Sequence, residues 1–361
     1  MRIFAALTEH KKHMQRCLQL AQLGAGFVAP NPMVGAVLVY NEKIIGEGFH
    51  QLFGQAHAEV NCINSVGKEY QSFIGDSILY VSLEPCSHHG KTPPCVDLII
   101  EKKIATVVIG CKDTNATVNG NGIKKLQANG VNVITGVMEK EAIELNKRFF
   151  IFNEQHRPYI ILKWAQSNDN KMAPLYPLKE ETFKDAKKQG LLISNGVTNR
   201  LVHKWRSEEA AILVGTNTAL RDDPALTTRL WHGNHPLRLV IDKNLKLPPS
   251  LQLFDGTTKT IVFNEVKDEL GAMLNYYKVD DVKNIGTIAD ALYKMQVQSV
   301  IVEGGATLLH SFIKAGLWDE ARVITNTTMK IGEGLTAPVL ENAILNNEEQ
   351  LMADHIAYFR K

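Results

Sequence analysis

Short aliphatic runs alternate with helical patterns along almost the whole of this chain, and no other feature restricts its fold as much. Met14, Cys17, Leu18 and Ala21 recur at helical spacing over residues 10–21. MVGAVLVY (33–40) and KIIGEGF (43–49) then predict a β-hairpin across an Asn-Glu turn. HAEVNCINSV predicts a helix, SILYVSL a buried strand, CVDLIIEKK a helix and IATVVIG a strand. A helix near 120–129, the strand VNVITG and a helix over 139–150 complete this first series. A polar stretch containing Pro158 interrupts it, so residues 150–158 are read as a linker. YIILKWA, AAILVG, LRLVID, KTIVF and QSVIVEG, with helices between them, form a second series. Strands alternating with helices imply sheets covered by helices. The expectation is an α/β chain of two domains, 1–150 and 151–361, with residues 174–190, charged and patternless, as a surface insertion or mobile loop.

The length of 361 residues suits two domains. Lys and Arg total 40 against 38 Asp and Glu, a net charge of +2, so no global field draws the chain to nucleic acid or membrane. No apolar run approaches a membrane span. MRIFAALTEHKKHMQRC lacks the sustained apolar stretch and cleavage site of a secretory signal. Five cysteines, an odd number in a long chain, argue against a disulfide framework and for a reducing cytoplasm.

The densest chemistry lies in EPCSHHGKTPPC, residues 84–95, with GQAHAEVN upstream. His57, Cys86 and Cys95 offer one imidazole and two thiolates, a ligand set suited to zinc, and three protein ligands leave a fourth position open, as catalytic zinc requires. Glu59, two residues from His57, is the natural proton shuttle in the H-x-E…P-C pattern of zinc deaminases. Positions two apart diverge on a regular helix, which places His57 at a helix start; Pro85 is expected in the first turn of another, with Cys86 near its positive end. A closed structural site with His88 or His89 as fourth ligand is the alternative, and it leaves Glu59 without a role. Cys17, Cys62 and Cys111 fall on apolar patterns and are read as packing residues.

In the second half, VEGGATLL (302–309) runs from strand through Gly304-Gly305 into a helix whose first amides can cradle a phosphate; a tight strand-to-helix turn is the plainer reading. Arg206 and the group Arg221, Asp222, Asp223 and Arg229 add contacts for an anionic ligand, although surface arginines are usually just solvated.

APNPMVGAVLV, QAHAEV, LEPCSHHGKTPPC and KDTNATVNGNG together resemble the N-terminal domain of the bifunctional riboflavin-biosynthesis deaminase–reductases. RPYIILKWAQS, LVHKWRSEEAAILVGTNTALRDDPALTTR, LRLVID and IVEGGATLLHSFIKAGLWDE resemble their reductase domain. The resemblance implies a cytidine-deaminase-like three-layer domain followed by a dihydrofolate-reductase-like domain. It also implies Zn2+ and NADPH as cofactors and phosphoribosylamino-pyrimidines as small-molecule substrates; a homo-oligomer is the expected assembly. By motif, His57, Cys86 and Cys95 would hold zinc and Glu59 would carry protons. Asn31, His50, His88, Lys91, Asp113 and Asn115 would line the first substrate pocket. Thr218, Asp222, Gly304, Gly305, Ala306 and Thr307 would contact the nicotinamide cofactor, and Arg206, Leu226, Arg229 and Glu303 the second substrate. Lys163 would polarise the sugar carbon that receives hydride. The chain departs from the family pattern at Asn168, Asn170, Leu192 and Lys243, which bears on fine cofactor contacts. Two rival readings are a zinc deaminase acting on a polynucleotide base with an accessory C-terminal domain, and a non-enzymatic zinc-stabilised binding module. Near-neutral charge and few interleaved aromatic and basic residues count against the first, and Glu59 against the second.

Overall fold

The computed structural model describes residues 2–90, 93–114, 120–175 and 192–361, with side chains from residue 9 onward. Lys91, Asn115 and most of the 174–190 segment lie outside the described residues. The chain divides into two compact units, Met1–His156 and Arg157–Lys361.

In the first unit the strands β1 (Gly35–Tyr40), β2 (Lys43–Phe49), β3 (Ile78–Leu83), β4 (Thr106–Cys111) and β5 (Asn132–Thr135) form one sheet in the order β2-β1-β3-β4-β5. β1 runs antiparallel to β2 and β3, whereas β3, β4 and β5 are parallel. Asn41 and Glu42 both take left-handed backbone (φ 45° and 61°), the geometry a two-residue hairpin needs to match strand twist. Successive strand residues face opposite sides. Ala36 and Leu38 meet α2 (Ala58–Asn64), α3 (Cys95–Glu101) and α4 (Asn121–Ala128) through Cys62, Ile99 and Leu126. Val37 and Val39 meet Met14 and Cys17 of α1 (Arg2–Gln22). α5 (Glu139–Leu145) and α6 (Lys147–Gln155) pack Ala142 and Phe149 with Leu18 of α1. The result is the three-layer α/β/α arrangement implied by the resemblance. Cys17, Cys62 and Cys111 are buried in it.

The single helix expected over 139–150 is two. Asn146 breaks it by exchanging side-chain hydrogen bonds with the Met33 backbone: Oδ1 accepts from N at 2.8 Å and Nδ2 donates to O at 2.9 Å. α6 then runs through much of the stretch read as a linker, and the division between units falls after His156 rather than at 150.

The second unit is built on a nine-stranded sheet. Its strands are β6 (Tyr159–Ser167), β8 (Ala211–Gly215), β9 (Leu237–Ile241), β10 (Thr260–Asn264), β11 (Leu274–Lys278), β12 (Ser299–Val302), β13 (Glu320–Asn326), β15 (Ile344–Leu351) and β16 (Asp354–Arg360), in the order β11-β10-β9-β8-β12-β6-β13-β16-β15. The first seven in that order are parallel, and β16 and β15 close the edge as an antiparallel hairpin. β7 (Lys171–Pro174) and β14 (Gly334–Thr336) form a separate ribbon. Ile288 of α9 (Ile285–Lys294) and Phe312 of α10 (Ala306–Ala315) cover one face of the sheet. α7 (Gly196–Glu208) lies on the other, with Trp205 against Tyr358 and Arg322. α8 (Thr216–Asp222) follows β8 directly.

Candidate active sites

The first site lies at the sheet edge where β3 and β4 end and β1 begins. Parallel strands deliver their following loops to one such edge, where ligands commonly bind. Here β3 leads into Glu84-Pro85-Cys86, β4 into Asp113, and α3 opens at Cys95. His57 is the N-cap of α2 with extended backbone (φ −74°, ψ 169°). That break in helical geometry lets His57 and Glu59 line one cavity although two residues apart. The cavity, of about 230 Å³, is also lined by Asn31, His50, Cys86, His88 and Asp113.

His57 Nδ1 stands 3.5 Å from Cys86 Sγ and 3.4 Å from Cys95 Sγ, and the three donor atoms lie within 4.8 Å of one another. Tetrahedral zinc with Zn–S of about 2.3 Å and Zn–N of about 2.0–2.1 Å sets N···S separations of about 3.6 Å. The residues therefore fit the ion. His88 and His89 are exposed and stand outside this group, so among the described residues the donors number three. The expectation that Pro85 opens a helix is corrected: residues 84–87 are irregular, and the helix starts at Cys95 with Pro94 as N-cap. The intervening residues separate Cys86 from that helix in sequence, yet its Sγ accepts the Cys95 N–H at 3.3 Å. Cys86 thus reaches a helix start through space, and the Cys95 and His57 groups beside it pull its thiol well below the ordinary thiol range.

Glu59 is buried, and burial pushes its carboxyl up to about 7. His50 donates from Nδ1 to Ala56 O (3.0 Å), which leaves Nε2 to accept from Asn31 Nδ2 (3.1 Å). Burial lowers its pKa, so the ring is held neutral with its tautomer set. Sequence reading missed Glu84 and Phe149, which also line the cavity. Glu84 shows only as a letter of the EPC triplet, and Phe149 falls in the helix expected over 139–150, where nothing in the pattern marks it for a site.

The second site gathers at the C-terminal ends of β8 and β12, beside the middle of β6. Glu303, just after β12, holds Arg206 of α7 in a two-point ion pair, Oε1 to Nε at 2.9 Å and Oε2 to Nη2 at 2.7 Å. Lys163 on β6 reaches the same carboxylate at 3.5 Å. Burial alone would raise Glu303; Arg206 and Lys163 outweigh it and hold the carboxyl at about 2. Burial lowers Lys163, only partly opposed by Glu303. Arg206 was expected to offer its planar fork to a phosphate, but here Glu303 occupies the fork, and Nη1 reaches the Thr227 carbonyl at 3.4 Å. Arg229 is exposed. Leu226 is 2% exposed with left-handed backbone (φ 50°), so neither its side chain nor its backbone stands open to a ligand in this conformation. Asp223 is drawn inward, its Oδ1 accepting the Gln252 N–H at 2.7 Å. Gly305 is the N-cap of α10, with Ala306 and Thr307 in its first turn, and Gly305 N donates to Thr218 Oγ1 at 2.8 Å. A Cβ on Gly304 would lie 2.8 Å from Leu308 Cδ2, so the turn packs as closely as the Gly-Gly pair allows. Asp222 ends α8 and is exposed. His203, absent from the sequence reading, accepts the Arg229 N–H on Nδ1 at 3.0 Å.

Two family profiles match. "Cytidine and deoxycytidylate deaminase zinc-binding region" covers residues 7–111, and "RibD C-terminal domain" covers 158–343. The riboflavin biosynthesis protein RibD of Aquifex aeolicus is 38% identical over 333 residues, 90% of this chain and 89% of its own length. The chain belongs to the RibD family. The Escherichia coli RibD is 34% identical, covering 85% of each chain. Among solved structures, a Thermotoga maritima diaminohydroxyphosphoribosylaminopyrimidine deaminase/5-amino-6-(5-phosphoribosylamino)uracil reductase superposes with a TM-score of 0.87 at 34% identity, covering 98% of this chain and 99% of its own. An Acinetobacter baumannii RibD superposes with a TM-score of 0.85 at 29% identity, with the same coverage. As a RibD-family protein the chain is a bifunctional enzyme of riboflavin biosynthesis, with a zinc-binding deaminase domain and a reductase domain. The RibD match across the second half removes the reading of that half as a polynucleotide-binding appendage. Membership of an enzyme family removes the purely structural zinc module. Among the described residues no helix is long and apolar enough to cross a membrane.

Proposed function

We propose that the first unit hydrolyses the 2-amino group of 2,5-diamino-6-(5-phosphoribosylamino)pyrimidin-4(3H)-one, and that the second reduces the resulting 5-amino-6-(5-phosphoribosylamino)uracil to its ribityl form with NADPH. The convergence of His57, Cys86 and Cys95 beside buried Glu59, in a chain that also carries the Lys163–Glu303–Arg206 cluster, is the observation that carries this reading. His57, Cys86 and Cys95 hold the zinc, which when bound supplies Lewis acidity toward the attacking water. Glu59 accepts a proton from that water and returns one to the departing amine, which leaves as ammonia while the water oxygen becomes the new carbonyl. Asn31, His50, His88 and Asp113, with Lys91 and Asn115, bind and orient the pyrimidine and its phosphoribosyl arm.

In the second unit Thr218, Asp222 and the Gly304–Thr307 turn bind NADPH, which supplies the hydride. Lys163 holds a proton toward the opened sugar, and Glu303 keeps Lys163 in place. Arg206 fixes Glu303, buried Leu226 shapes the wall behind the substrate, and exposed Arg229 is the cation for the substrate phosphate. The five free cysteines suit a reducing cytoplasm. The test is to supply the diaminopyrimidine substrate with and without NADPH and identify the products. Without NADPH the aminouracil ribosyl phosphate should accumulate; with it, the ribityl product should form as NADPH is consumed. Unchanged substrate in both reactions would refute the deaminase half, and accumulation despite NADPH would refute the reductase half.

A further inference from the structure

One buried side chain of the first unit has a hydrogen-bonding arrangement that the deamination chemistry does not use. Glu84, 4% exposed, receives four backbone N–H groups among the described residues. Its Oε2 accepts from Asp113 (3.3 Å) and Gly120 (3.0 Å), and its Oε1 from Gly122 (3.0 Å) and Ile123 (3.2 Å). Three of these donors belong to the start of α4, whose first amides lack intrahelical partners. The fourth belongs to Asp113, just past β4 and on the cavity wall. The Glu84 backbone is itself fixed, its N–H donating to Cys111 O at 3.0 Å. The residues that follow are pressed onto the same helix start: a Cβ on Gly122 would lie 2.3 Å from the Pro85 carbonyl oxygen and 3.1 Å from Glu84 Oε1.

We infer that Glu84 is a positioning residue for deamination, a joint that locks the turn carrying Cys86, the strand end carrying Asp113 and the start of α4 into one geometry. Glu84 fixes where Asp113 stands relative to the metal ligands. The inference rests on the proposed contact between Asp113 and the pyrimidine substrate. A carboxylate suits this joint because it is acceptor-only and has lone pairs for all four donors. An amide of the same shape would set an NH2 against two N–H groups and leave both buried donors unmet.

The experiment compares Glu84→Gln with Gly122→Ala, which strains the same joint from the helix side, in the full-length zinc-loaded protein. Zinc content, deaminase kinetics and amide exchange are measured on each. Both variants should keep one zinc and a near-normal kcat, raise KM for the diaminopyrimidine by about tenfold or more, and exchange faster at the amides of 113, 120, 122 and 123 than elsewhere in the unit. Loss of zinc with unchanged exchange at those amides would show that Glu84 serves the metal turn alone, overturning the inference. Faster exchange throughout the unit would make Glu84 a stability residue only, with the same consequence. Faster exchange confined to the joint but with an unchanged KM would break the link to substrate. Asp113→Asn separates the two layers: an unchanged KM there refutes the Asp113 contact itself, whereas the exchange pattern reports on the joint whatever Asp113 binds.

Discussion

At the scale of single residues, holding a metal and moving a proton fall to different side chains, so they separate by substitution. Cys86→Ser removes one of three donors and should cost the protein most of its zinc, read by metal analysis of the purified chain. Glu59→Ala leaves all three donors in place; it should retain zinc and fold while deamination drops by about two to four orders of magnitude. A Glu59→Ala protein that deaminates normally would remove the proton-transfer role. Arg206 calls for a different expectation from the one its sequence context suggests. Its fork grips Glu303, so Arg206→Lys trades a two-point pair for a single point charge beside a buried carboxylate. Reductase kcat/KM should fall about tenfold to a hundredfold, with NADPH affinity little changed. A selective loss of NADPH affinity would move Arg206 to the cofactor side.

Among the elements, Asn146 closes α5 and ties α6 to the loop ahead of β1 through its two bonds to Met33. Asn146→Ala would leave two backbone groups of Met33 without their partners, a cost of about 1–3 kcal/mol, and thermal unfolding should register it as a lowered midpoint. That break also shows where sequence pattern stops informing. The helical pattern runs straight through residues 139–150, and only the distant Met33 backbone explains why one helix becomes two. The strands with aliphatic runs, β1, β3, β4, β6, β8, β9, β10 and β12, were legible because strands buried on both faces are nearly continuous apolar segments. β15 escaped because ILNNEEQL is almost wholly exposed and polar. β13 escaped because Glu320 and Arg322 are buried as an ion pair, which looks like surface in a sequence. The metal ligands were legible because chemistry restricts their residue types. Glu84 was not, since its partners are backbone amides that no sequence displays.

For the whole molecule, two chemistries on one chain predict independent loss. A chelator that strips zinc should abolish deamination, while reduction of supplied 5-amino-6-(5-phosphoribosylamino)uracil continues. Glu59→Ala should likewise reduce supplied intermediate at the normal rate. Failure of reduction in either case would mean that the two sites are coupled.

The strand order of the nine-stranded sheet also bears on how the chain is made. β6 opens the second unit, yet its neighbours on both sides, β12 and β13, are drawn from residues 299–326. During synthesis the first unit, whose hairpin pairs adjacent strands, can complete its sheet while the second is still emerging. β6, an apolar segment, meanwhile has neither partner until more than a hundred residues later. Long-range parallel pairing is slow and leaves sticky intermediates exposed. Nascent chains halted before residue 299 should therefore present a protease-resistant first unit followed by a cleavable, chaperone-binding tail, and resistance should spread to the second unit only once β13 has left the ribosome.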